Sequence, residues 1–137
     1  MLRREVYRRA GPFDEQFFLY FEETDFCKRA KRMGWLAYII PAIRVEHLKG
    51  ASFQKIRRET EKSEERKETD SEEFPDPLAI YFESLIRYLR KHHPGLRTKA
   101  ALSTIYAFLK MRRWAVKDEK SQRIFEAFTE GARRAER

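Results

Sequence analysis

The chain has 137 residues, 38% of them charged, a net charge of +8 and a mean hydropathy of −0.77. That length fits one domain or part of one, and the charge content requires much of the chain to be solvated. A single cysteine, Cys27, cannot form an internal disulfide and fits a reducing compartment, and no apolar run is long enough to cross a membrane.

In chain order, residues 2–10 (LRREVYRRA) predict a short helix with Leu2 and Val6 on one stripe and Gly11 as its stop. GPFDEQFF follows as a turn. Phe13, Phe17, Phe18, Tyr20 and Phe21 are dense enough that most are expected in a core. ETDFCKRAKRMG predicts a second helix: Thr24 or Asp25 caps or charges its start, Lys31 and Arg32 sit near its end, and Gly34 stops it. WLAYIIP, a short apolar run between Gly34 and Pro41, predicts a buried strand, and AIRVEH a second strand ending at His47. Cys27 is expected to pack rather than react.

Residues 54–73 have Ile56 as their one apolar side chain and cannot bury a face, so a partly helical, mobile segment is expected. FPDPLA marks a boundary. Beyond it, amphipathic stripes predict helices over 78–92, 96–116 and 118–134. His92 and His93 are expected to close the first of these against its dipole. From residue 77 onward fourteen Lys or Arg face six Asp or Glu, so the net positive charge lies in this part. Such a surplus suits phosphate-rich partners: a nucleotide, a membrane surface or nucleic acid.

The order of features from Leu2 to Ser52 resembles the C-terminal half of the catalytic domain of family 2 glycosyltransferases of the rhamnosyltransferase-like kind. The matching pieces are RREVYRRAGPFDEQFFLYFEETDFCKRAKRMGW, YIIPAIRVEH and HLKGAS, with YFESLIRYLRKHHPG resembling a helix that often follows. The resemblance implies an α/β, partial GT-A domain over 1–53. A charged segment over 54–76 and a helical C-terminal region over 77–137 follow it.

The implied activity is transfer of a sugar, with inversion, from a nucleotide-sugar donor to a glycan or lipid-linked acceptor. A base must then take the acceptor hydroxyl proton. The matching position is Glu23, supported by Glu22 and Asp25. The family usually has Asp where Glu23 stands. The longer side chain moves the carboxylate by about an ångström, a displacement that can cost on the order of a hundredfold in rate.

By the same resemblance His47 contacts a divalent metal, Mn²⁺ or Mg²⁺, and the donor diphosphate, with Gly50, Ala51 and Ser52 in the adjoining loop. The sequence contains no Asp-x-Asp and no Gly-rich phosphate loop. The chain alone is therefore expected to be inactive and to need a nucleotide-binding half, supplied upstream or as a separate chain. The resemblance implies a cytoplasmic protein, peripheral at the inner membrane face, with no nucleic-acid partner. Arg97, Lys99, Lys110, Arg112, Arg113 and Lys117 flank an apolar stripe over 96–117, which suits a membrane interface. The alternative function is a non-catalytic basic helical module that binds a partner protein or an anionic membrane.

Overall fold

A computed structural model describes residues 2–44 and 76–137. The chain divides into two compact units, Met1–Ala37 with Asp76–Arg137 forming one and Tyr38–Pro75 the other. The first unit holds five helices: α1 (Arg4–Ala10), α2 (Glu22–Arg32), α3 (Pro77–His92), α4 (Leu96–Val116) and α5 (Glu119–Arg134).

α1 and α2 are short and held by a small core of Val6, Ala10, Phe26 and Ala30, with Trp35 packed against it. Gly11 leaves α1 at a φ of 78° and Gly34 follows α2 at 84°, backbone that a side chain would strain. The guanidinium of Arg29 reaches back from α2 and donates to the carbonyls of Ala10 and Pro12. It thereby satisfies an acceptor that the end of α1 leaves open.

The start of α2 differs from the sequence expectation. Neither Thr24 nor Asp25 caps it. The cap position is Phe21, in left-handed backbone with no side-chain cap bond, and Asp25 lies inside the first turn, donating its own N–H to the Phe21 carbonyl. Glu22, Glu23 and Asp25 still oppose the positive end of the helix dipole.

α3, α4 and α5 match their expected spans closely. Asp76 caps α3 by accepting from the Leu78 N–H, with Pro77 in the first turn, and Asp118 caps α5 by accepting from the Ser121 N–H. Ile86, Leu109, Phe128 and Ala135 form their shared core, with Phe82, Leu102, Ile105, Ile124 and Phe125 around it. α5 approaches α3 through buried Gly131. A Cβ there would lie 2.6 Å from the Ala79 carbonyl oxygen and 2.8 Å from the Glu83 nitrogen. Glu83 also pairs with Arg87 on its own helix and with Arg134 of α5.

Three expectations are corrected. Residues 35–40 form no strand, and no strand occurs among the described residues. An extended run becomes a strand only through a ladder partner, and none of the described segments offers one. Leu36, Tyr38, Ile39 and Ile40 are exposed, Ile39 by 93%. Of the five aromatics expected in a core, Phe17 is buried, Phe21 is half-buried, and Phe13, Phe18 and Tyr20 are exposed. Cys27 is exposed rather than packed. The expected second strand, ending at His47, and the charged segment lie largely outside the described residues.

Candidate functional site

The three carboxylates singled out in the sequence share the first turn of α2 but point to different environments. Asp25 is fully buried. Its Oδ2 accepts from Arg29 Nε at 2.8 Å, and its Oδ1 lies 2.7 Å from both Lys91 Nζ and His92 Nε2. Glu23 is exposed to solvent, whereas Glu22 is half-buried with an Oε2 that is shielded from water and has no hydrogen-bond partner. His47, Gly50 and Ser52 lie outside the described residues.

Arg29 lies one helical turn from Asp25, but Lys91 and His92 come from more than sixty residues later, and spacing along the sequence gives no sign of them. Lys91 also reaches Asp14 of the FDE piece, at 2.6 Å, while Asp14 turns its own loop by accepting from the Gln16 N–H. Lys28 Nζ donates to His93 Nε2 at 2.7 Å. Thus GPFDEQFF, FEETDFC and RKHHPG, three separate pieces of sequence, meet in one charged cluster. His92 does end α3, but its side chain is buried on Asp25 rather than left to the helix dipole.

Electrostatics fixes the protonation states. Burial alone would raise the Asp25 carboxyl, but hydrogen bonds from Lys91, Arg29 and His92 outweigh it and hold the group below its ordinary value. For Lys91, burial favours the neutral amine. The two carboxylates beside it prevail and push its pKa up. For His92, burial lowers the pKa more than Asp25 raises it, with Lys28 and Arg32 adding to the depression. A neutral His92 donates its Nε2–H to the Asp25 carboxylate. Its Nδ1 is then a bare acceptor, buried and without a partner.

This arrangement anchors rather than reacts. Both Asp25 oxygens are committed to cations and to His92, and water does not reach them. Among the described residues no three His, Cys, Asp or Glu side chains converge to hold a metal.

Ahead of α2 the backbone is strained. Tyr20 and Phe21 both have a φ of 68°, a region that bulky residues rarely enter. The surroundings hold them there. The hydroxyl of buried Ser84 donates to the Leu19 carbonyl at 2.7 Å, Tyr20 packs edge-on to Tyr81, and Phe21 lies against Tyr81 and Tyr88. The strained pair leads directly into Glu22 and Glu23.

Comparison with known proteins relates a stretch of this chain to glycosyltransferases. It is 36% identical over 52 residues to N-acetylglucosaminyl-diphospho-decaprenol L-rhamnosyltransferase in two strains of Mycobacterium tuberculosis, covering 38% of this chain and 17% of that protein. It is also 36% identical over 56 residues to the dTDP-rhamnosyl transferase RfbF of Shigella flexneri, covering 41% of this chain and 19% of that one. The chain thus spans less than a fifth of the length of these relatives. No family model matches, and no solved structure matches.

Proposed function

We propose that the chain supplies the acceptor-side part of a nucleotide-sugar-dependent glycosyltransferase of α/β, GT-A type, with Glu23 as the general base. The observation that carries this reading is the strained Tyr20–Phe21 pair leading into an exposed Glu23. Backbone strain of this kind, on the order of 1–3 kcal/mol per residue, persists where surrounding contacts over-determine it, and it concentrates at functional sites. Buried Asp25 acts from the same turn as the anchor of the helix, so that Glu23 is held on a fixed element. The local identity to rhamnosyltransferases supports the same reaction class.

In the proposed step the Glu23 carboxylate takes the proton of an acceptor hydroxyl. The hydroxyl oxygen attacks the anomeric carbon from the face opposite the leaving group. The bond from that carbon to the nucleotide diphosphate breaks, and the diphosphate leaves with the electron pair. The relatives' names point to a dTDP-linked rhamnose as donor and a lipid-diphosphate-linked sugar as acceptor. His47 would face the donor diphosphate and its divalent metal, with Gly50 and Ser52 beside it. The nucleotide-binding half would come from elsewhere.

The chain alone is then expected to turn over no nucleotide sugar. Fused behind the nucleotide-binding part of the Shigella flexneri relative, it should restore rhamnosyl transfer from dTDP-rhamnose. Glu23→Gln should lower kcat by about a thousandfold, within the usual range for loss of a general base. A fusion that binds dTDP yet transfers equally well with Glu23→Gln would overturn the assignment.

A further inference from the structure

α4 has apolar residues on two faces. Leu102, Ile105 and Leu109 line the face that packs on the neighbouring helices. The opposite face carries Leu96, Met111 and Trp114, exposed by 81%, 59% and 77%, and Phe108, 54% exposed, borders it. At 100° per residue Leu96, Met111 and Trp114 fall on the side of the helix turned away from the packed face, with exposed Ala100 and Ala107 between them, and Phe108 lies at its border. A surface helix ordinarily shows water a polar face.

Charge borders this apolar face. Lys99, Lys110, Arg113 and Lys117 recur at spacings of four, seven and eleven and line one edge, where Tyr106 also lies. Lys110 lies over the Tyr106 ring and Arg113 over Phe125. From Leu96 to Lys117 there is no Asp or Glu.

We propose that this outward face of α4 docks the protein on an anionic lipid surface, with the helix lying flat in the interface. Charge decides the occupant. A second copy of the chain would set cations against cations, whereas anionic headgroups would meet them while Trp114, Phe108 and Met111 enter the acyl boundary. No helix among the described residues is long and apolar enough to cross a membrane, and the arginines and lysines of α4 keep it from doing so. The inference rests on the α4 surface alone and does not need the transferase reading.

The test is co-flotation of the 137-residue chain with vesicles. Vesicles of phosphatidylcholine with about 30% phosphatidylglycerol should carry the protein upward at about 0.1 M salt and release it at about 0.5 M, while phosphatidylcholine alone should carry little. Trp114 emission should shift to the blue on the anionic vesicles in a Trp35→Phe background. The combined variant Phe108→Ser, Met111→Ser and Trp114→Ser should keep its helical circular dichroism and bind at least about tenfold more weakly. Replacing Lys99, Lys110 and Lys117 by Gln should lower affinity for the anionic vesicles by roughly a hundredfold, about fivefold per cation. Three results would overturn the proposal. They are failure to float with the anionic vesicles, equal binding by the folded serine variant, and a dimer in solution that Trp114→Ser dissolves without any vesicle binding.

Discussion

α3 holds the helices of the first unit together in two chemically different ways. Toward α2 it presents Ser84, Tyr88, Lys91 and His92, and the contact is made of charge, hydrogen bonds and aromatic edges around buried Asp25. Toward α5 it presents Ala79, Phe82 and Ile86, and the contact is apolar packing closed by a glycine. The apolar contact tolerates small losses in proportion to volume. The ionic contact does not scale in that way, because removing Asp25 leaves His92 buried without its acceptor and takes one carboxylate from both Arg29 and Lys91. The candidate base sits on the ionic side, where orientation is set by directional bonds.

The largest effect is expected from breaking the ionic side. Asp25→Ala leaves Arg29, Lys91 and His92 without their common acceptor and should destabilise the fold by about 3–5 kcal/mol. Chemical denaturation measures this. Hydrogen exchange should show amides of α1 and α2 losing protection while those of α3–α5 retain theirs. Uniform loss across all five helices would erase the distinction between the two contacts.

The apolar side should break by overpacking. Gly131→Ala drives a methyl into the Ala79 carbonyl and the Glu83 nitrogen, backbone atoms that cannot move aside cheaply. A loss of about 1–3 kcal/mol is expected, with m-values close to those of the parent. A stabilised Gly131→Ala variant would show that the two helices are free to separate.

Acid should weaken the ionic side selectively. The His92 pKa is depressed from 6.5, so the unfolded chain takes up that proton first. Stability is therefore complete above about 6.5 and declines as pH falls from there through the folded value. Asp25 and Asp14 are depressed from 3.8, so their contribution is complete above that value and is lost as pH falls further. Thermal midpoints measured from pH 8 downward should fall in these two stages, and His92→Gln should remove the first. An unchanged first stage in that variant would assign it to another group. The smallest effect concerns the link between α4 and α5, where Lys117 has a φ of 50°. Lys117→Gly should raise stability by up to about 1 kcal/mol through relief of the left-handed backbone.

How much of this was legible in the sequence follows from how local each cause is. α3 and α5 are readable because period-3.6 stripes and the caps Asp76 and Asp118 are short-range signals, and α4 because Gly95 and Lys117 bound a long run free of Gly and Pro. The turn of α1 was readable from Gly11. The start of α2 was not, because its cap is an aromatic residue in left-handed backbone, held there by α3 some sixty residues later. The same distance hid the Asp25–His92 contact, which spans 67 positions. In the sequence Asp25 looks like one more acid in a first turn, and only tertiary packing distinguishes it from exposed Glu23. The composition of WLAYIIP suits a strand, yet strand formation requires a partner that composition cannot supply.

The central claim is that α2 divides its labour, with Asp25 holding the helix and Glu23 carrying the chemistry. The most direct measurement pairs rhamnosyl transfer with melting for Glu23→Gln in the fused enzyme. The account predicts that transfer falls by about a thousandfold while the melting midpoint stays at the parent value. Transfer at the parent rate would contradict it.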